Sequence, residues 1–435
     1  MRSKLKIIPL LIALLIVPQQ AGAESPAAVG IKESINLTLE NNASLLSLKQ
    51  EIIKAAAFKV QADGTLLPSI SASVNIDKQR EPQTSDGTDK DSSKSAKVTL
   101  EQTIYSGGRD SALRRQSPQA ANIADAALRD GENRIIGELF ARFYNVILQQ
   151  EKIKTEEAAV KTSEMHLKEV KKMNELGLAN RLEVIRAAQK LASNYAELST
   201  AQGSFKAAHI SLMSYMAIPP ESRRAVKGSI SSWEIKGSRA ESPPFAEKYR
   251  ADLQKLKEEH SYQLNQIEIE KSALRPKITF GATSGISNPY KGDDRSEDTW
   301  RAELSVKLPI FDKNAAQSAL IKNRAILEQD KIAVKQKEID VKSEVETSWA
   351  EIESAKDRLA ASEKALELAK ETLRLSEVGY REGVTPQLDL LSAQSALTLA
   401  NLNFLNAQYN RFMTIVALKM TEGTIIDWAK ESDFK

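Results

Sequence analysis

Residues able to make or break bonds are few in this chain, and they are not grouped for it. Its 435 residues hold three histidines, His166, His209 and His260, and no cysteine. The histidines lie far apart in helical stretches, with no H-E-x-x-H, no phosphate-binding glycine loop and no G-x-S-x-G elbow. No side chains cluster with metal-ligand spacing, and the 7 methionines form no ladder that would hold copper. Carboxylates abound, but beside 61 Lys and Arg the 58 Asp and Glu read as the solvated faces of helices. No enzyme activity, cofactor or metal is expected. A net charge of +3, with no basic block interleaved with aromatics, gives no reason to expect nucleic acid. The chemistry left is electrostatic. Glu183 and Asp389 each follow a glycine by six residues and fall in the first turn of a helix, where a carboxylate is favourable in any case.

Those two acids belong to a repeat. Glu175–Ala187 aligns with Arg381–Ala393: Gly177 matches Gly383, Leu182 matches Leu388 and Glu183 matches Asp389, at an offset of 206 (383 − 177). Ile104-Tyr105 falls on Ile310-Phe311 at the same offset, and Leu67-Pro68-Ser69 near Arg275-Pro276-Lys277 at 208. Each half reads helix, strand, polar loop, strand, long helix, glycine turn, helix. Strands are expected at 69–78, 96–105, 277–287 and 298–309, with helices at 30–63 and 245–274 and helical hairpins at 109–217 and 313–420. This divides the chain into a first repeat (24–218), a connector (219–244), a second repeat (245–420) and a tail (421–435). Pro219-Pro220 and Pro243-Pro244 bracket the connector, where a helix cannot continue.

The strands alternate. Ile70, Ala72, Val74 and Ile76 interleave with Ser71, Ser73, Asn75 and Asp77, and Trp300, Ala302, Leu304 and Val306 with Arg301, Glu303, Ser305 and Lys307. Val98 and Leu100, and Ile278, Phe280 and Ala282, follow the same period of two. One such strand alone suits a soluble sheet with one wet face better than a barrel. Four of them behind a secretory leader favour a transmembrane barrel, with lipid outside and water inside. The leader is read from Arg2, Lys4 and Lys6, the apolar stretch Ile7–Val17 and the Ala21-Gly22-Ala23 cleavage site. Residues 1–23 are thus a signal peptide cut after Ala23, with no cysteine to carry a lipid anchor. Four strands cannot close a barrel, whose smallest single-chain form has about eight. The barrel must be shared between chains; periodicity alone leaves dimer, trimer and tetramer open.

The helices are too long for a globule. Residues 313–378 contain neither Pro nor Gly. Val345, Ile352, Leu359, Leu366 and Leu373 recur every seven residues, followed at three by Ser348, Ala355, Ser362 and Ala369. Large and small positions alternating in a heptad make a coiled-coil seam with close backbone approach. Leu388, Leu391, Leu402, Leu405, Phe412 and Val416 supply the returning face. By themselves the helices suit a periplasmic coiled-coil scaffold or adaptor without a channel just as well.

Taken together, the chain resembles the TolC-like outer-membrane efflux proteins (outer membrane factors), over essentially the whole mature sequence. Tyr105-Ser-Gly-Gly-Arg109 after a strand carries the resemblance, with Tyr380-Arg-Glu-Gly383 leading through Asp389, Leu390, Leu391 and Ala393-Gln394, and with Gly177, Leu178 and Glu183 in the first repeat. Phe311-Asp-Lys-Asn314 departs from the pattern by lacking the paired glycines, which is expected to alter that strand-to-helix corner. The resemblance implies a homotrimer sharing a twelve-stranded barrel and a twelve-helix periplasmic tunnel. It implies passive export for a tripartite efflux or type I secretion system, with a periplasmic adaptor and an inner-membrane pump of RND, ABC or MFS type as partners, and outer-membrane lipid around the barrel.

By position, the resemblance also implies an acidic ring at Asp389 in the narrow entrance. Ser392 stands where the family has a second acid. Tyr380 would be a gate tyrosine bonding to Glu183 of the adjoining hairpin, Thr385 replaces the family's gate arginine, and the tips Gly177, Leu178, Gly383 and Val384 would receive the adaptor. Each residue also has a plainer role. Asp389 and Glu183 stabilise helix starts, Tyr380 packs between helices, and the glycines make turns.

Overall fold

The computed structural model describes residues 28–77, 93–219, 224–230, 238–288 and 297–431. The signal-peptide segment, Pro220 and most of the two strand-to-strand loops lie outside the described residues. The first half holds α1 (Ile31–Asn41), α2 (Ala43–Gly64), β1 (Ser69–Asp77), β2 (Ser93–Ser106), α3 (Arg109–Glu175) and α4 (Arg181–Tyr215). The second holds α5 (Ser242–Tyr249), α6 (Ala251–Ser272), β3 (Lys277–Asn288), β4 (Glu297–Lys307), α7 (Ala315–Arg381), α8 (Gln387–Thr421) and α9 (Ile425–Glu431).

The internal repeat is close in length as well as order. α3 and α7 each have 67 residues, and α4 and α8 each have 35. At ~1.5 Å per residue the long members extend ~100 Å. The helix expected over 30–63 is broken at Asn42, and the one expected over 245–274 is broken at Arg250. Both residues adopt extended backbone, with ψ 122° and 116°, at an offset of 208 (250 − 42). No Pro or Gly marks either break. Pro243 and Pro244 start α5 rather than lying outside helix, because a first turn needs no amide donor there. The expected tail contributes α9, whose Ile425 and Ala429 are buried.

The missing glycine pair leaves the turn's left-handed backbone in place, although β4 ends at Lys307, five residues short of the position that matches the end of β2. Gly107 and Gly108 have φ of 67° and 93°; Lys313 and Asn314 take 58° and 64° in the same places. Asn tolerates this left-handed region, whereas Lys pays for it.

β1-β2-β3-β4 form one antiparallel sheet in sequence order. The register puts Ile70 opposite Leu100, Leu100 opposite Ala282 and Ala282 opposite Ala302 on one face. On the other face Ser71, Thr99, Thr283 and Arg301 form the matching row. A bulge between Thr103 and Tyr105 sets Tyr105, rather than Ile104, opposite Ile278. The apolar face is open: Val74 is 75% exposed and Trp300 82%.

α3 packs along α4, and α7 along α8; α3 also touches α8, which joins the two hairpins side by side. Val345, Ser348, Ile352, Ala355 and Leu366 of the heptad seam are buried, but Leu388 is exposed. The largest core is mid-length, where Phe140, Phe143, Tyr144 and Phe412 pack with Trp428 of α9 and Ile31 and Ile35 of α1. Short elements thus brace the staves where the hairpins would otherwise splay. No helix among the described residues is long and apolar enough to cross a membrane.

Candidate gate at the hairpin tips and the sheet lumen face

Each hairpin reverses through the same hydrogen-bond pattern. In the first, the Leu178 amide donates to the Met173 carbonyl (2.8 Å) and that of Gly177 to Asn174 (3.0 Å). In the second, Val384 donates to Gly379 (2.8 Å) and Gly383 to Tyr380 (3.1 Å). Gly177 and Gly383 both have φ 73°, the left-handed helix end that disfavours any Cβ. Asn180 then starts α4 by accepting the Glu183 amide on its side chain (3.0 Å), while Pro386 starts α8. Leu178 and Val384 project at the tips, 72% and 81% exposed.

These turns bring Tyr380 to Glu183. The Tyr380 hydroxyl donates to Glu183 Oε2 at 3.5 Å, joining α7 to α4 within one chain. Burial raises the Tyr380 pKa, and the carboxylates of Glu183 and Glu169 raise it further, so the hydroxyl stays a donor. Gln387 of α8 adds a second tie, its side-chain amide donating to the Glu183 carbonyl oxygen (2.9 Å). Thr385 does not reach across the hairpins. It folds back on its own, so close to Gly379 that a Cβ there would stand 2.2 Å from Thr385 Oγ1. Asp389 and Ser392 are exposed in the first turns of α8 and meet no other site residue. Of the residues singled out from sequence, the fold therefore unites Tyr380 with Glu183 and leaves Asp389 and Ser392 free-standing.

His166 is the residue that sequence reasoning passed over. It lies buried beneath this pair, its ring 5.5 Å from that of Tyr380 and edge-on to it. Its Nε2 is 3.4 Å from the Gln387 side-chain nitrogen. Burial holds its pKa below 6.5 against the opposing pull of Glu169 and Glu183. No spacing rule would have grouped residues 166, 183, 380 and 387, since three helix reversals and the pairing of two hairpins separate them.

Beyond the strand-to-helix corners, the polar face of the sheet carries a shallow hollow lined by Thr99, Glu101, Thr279, Gly281, Thr283, Arg301, Glu303 and Ser305. A sheet that is polar on one face and openly apolar on the other has the sidedness of a water-filled barrel in lipid. β1 and β4 are its two outer strands, each paired on one side only among the described residues. In hydrocarbon such edges must be paired by another chain.

Comparison with known proteins agrees with this architecture. The chain is 22% identical over 300 residues to nodulation protein T of Rhizobium leguminosarum bv. trifolii, spanning 67% of this chain and 64% of that protein. It is 22% identical over 404 residues to the probable efflux pump outer membrane protein TtgC of Pseudomonas putida, covering 88% of this chain and 82% of the relative. Among solved structures it superposes on the outer membrane protein VceC of Vibrio cholerae with a TM-score of 0.79 at 17% identity, over 90% of this chain and 96% of the other. On the CmeC outer membrane channel of Campylobacter jejuni the TM-score is 0.80 at 15% identity, over 91% and 86%. The family model for outer membrane efflux proteins matches residues 34–217 and 244–423, one segment in each repeat. With the tandem helical hairpins, the inside-out sheet and both halves of the sequence agreeing, this chain belongs to the outer membrane efflux protein family.

Proposed function

We propose that this protein is an outer-membrane exit duct: three copies close a twelve-stranded barrel, and their hairpins form a periplasmic tunnel whose tips taper to a gate. The observation that carries this reading is the sheet. Its apolar face is open to the outside, its polar face lines a hollow, and its two edge strands lack a second partner among the described residues. A water-soluble coiled-coil scaffold would not leave Ile70, Val74, Trp300 and Leu304 exposed on one contiguous face.

In this reading the leader at 1–23 is removed, the repeats at 24–218 and 245–420 each supply two staves and two strands to every protomer, and Val226 of the connector with α9 of the tail braces them at mid-length. A periplasmic adaptor holds the tips at Leu178 and Val384, and an inner-membrane pump delivers the solute. Conduction is passive; the chain makes and breaks no bonds. The relatives named for efflux pumps support an exported small-molecule cargo, and the pump sets which one. Asp389, on an exposed first turn, faces the entrance as three carboxylates that favour cations. Tyr380 and Glu183 latch the closed state.

The test is single-channel conductance of the membrane-purified protein in a planar bilayer, with its mass measured in the same detergent. A trimer with small, cation-selective conductance is expected. A monomer without channel activity would overturn the reading.

A further inference from the structure

We propose that His166 is the positioning residue of this gate: its neutral imidazole, accepting at Nε2 from Gln387, keeps α7 and α8 drawn onto α4, and a proton on that nitrogen releases them. The proposal rests on the gate reading above, and its test separates the two.

Four helices converge on the imidazole. Glu169 faces it from its own helix α3, Glu183 from α4, Tyr380 from α7 and Gln387 from α8. His166 is only 5% exposed. The Gln387 amide nitrogen sits between two acceptors, His166 Nε2 at 3.4 Å and the Glu183 carbonyl at 2.9 Å. Its Oε1 is buried with no hydrogen-bond partner. An amide N–H can point at Nε2 only if that nitrogen offers a lone pair, which assigns the ring proton to Nδ1.

Protonation reverses this arrangement. Imidazolium carries N–H on both nitrogens, so Nε2–H would face the N–H of Gln387, donor against donor. Turning the amide over presents the orphaned Oε1 to Nε2–H and satisfies both. The same turn sets Oε1 against the Glu183 carbonyl oxygen, two acceptors in contact, and the tie from α8 to α4 is lost. The new positive charge also draws the Glu183 carboxylate toward the ring, in competition with the Tyr380 hydroxyl 3.5 Å away. Burial disfavours the imidazolium while the tips are closed, whereas an opened tip lets water reach the ring. The open form therefore binds the proton more tightly. By linkage, acid favours opening by about tenfold for each pKa unit that separates the two forms.

The experiment is conductance of the full-length protein in a planar bilayer at pH steps from about 7.5 to about 5.0, which bracket the ordinary histidine pKa. The wild type should rise severalfold, mostly below about pH 6.5, and H209Q and H260Q should rise with it. H166Q should lose the step, and H166F should lose it while keeping the ring's bulk. A step that survives in both His166 variants overturns the proposal and leaves the gate reading standing. Y380F and E183Q tested at neutral pH examine the gate itself. If neither raises conductance, the gate reading and this proposal fall together. Resonance of the His166 ring carbon, assigned by its absence in H166Q, should titrate below the pKa of an exposed histidine. Titration at or above that value would also overturn the proposal.

Discussion

Lys313 holds the same left-handed backbone in the second repeat that Gly107 holds in the first, φ 58° against 67°. A lysine there stores strain that glycine would relieve, less the extra chain entropy that glycine brings to the unfolded state. Lys313→Gly should therefore stabilise the protein by about 0.5–1 kcal/mol. The reciprocal change is harsher. A Cβ on Gly107 would lie 2.7 Å from the Ser272 carbonyl oxygen and 2.9 Å from Arg275 Cβ. Gly107→Ala should cost at least about 2 kcal/mol. Thermal unfolding in detergent checks both, and equal melting points for the two variants would refute the comparison.

Removing the contact between Tyr380 and Glu183 should open the channel. Y380F/E183Q deletes the donor and the charge it meets, and conductance at neutral pH should increase severalfold. An unchanged double variant would mean that the closed state is held elsewhere.

Asp389→Asn should weaken cation preference, read as a shift of reversal potential toward zero in a salt gradient. The residue is exposed and bonded to no other site residue, so the variant should fold normally. Persistence of the wild-type preference would place the selective charges at another level of the duct, such as Glu101 and Glu303 on the sheet's polar face.

The tips give a prediction that bilayers cannot test. Leu178→Asp with Val384→Asp puts charges on two exposed apolar positions at the hairpin tips. Export in cells should fail while trimer formation and bilayer conductance persist. Normal export would remove these tips from the adaptor contact.

Arg250, at the break between α5 and α6, binds Asp252 (2.6 Å) and Glu344, and Lys337 binds Asp252 as well (2.8 Å). Burial on its own would raise the Asp252 pKa, but hydrogen bonds from Arg250 and Lys337 outweigh it and hold the carboxyl down at about 2. A depressed carboxyl pKa contributes stability that is present above about pH 4 and fades as pH falls toward 2. Arg250→Ala should destabilise by about 3 kcal/mol at neutral pH and flatten that acid dependence. Chemical denaturation at about pH 7 and pH 3 checks it.

Much of the fold was legible because it is written in periodicity. Alternation in β1 to β4 separates two chemistries, and a sheet has only two faces on which to place them. Heptads over α7 and α8 specify a seam, and most of that seam is buried. Leu388 is the exception. It satisfies the pattern yet stays exposed next to the tip, where the single chain has nothing left to pack against it. The break at Arg250 was not legible, since arginine is neither a breaker nor a cap, whereas Asn42 caps α2 by accepting the Ser44 amide on its side chain, a helix-start signal.

What the amino-acid sequence determined alone is therefore the repeat, the sidedness of the strands, the length of the helices and the glycines at their reversals. All of these are local, set by side-chain period and by which residues tolerate positive φ. Only the tertiary structure decided that Lys313 and Asn314 would adopt the corner written for glycine, that Thr385 would fold onto its own hairpin, and that His166 and Gln387 would meet beneath Tyr380 and Glu183. The last of these depends on two hairpins lying side by side in a particular register, which joins His166 to Gln387, 221 positions away. No one-dimensional spacing encodes that register.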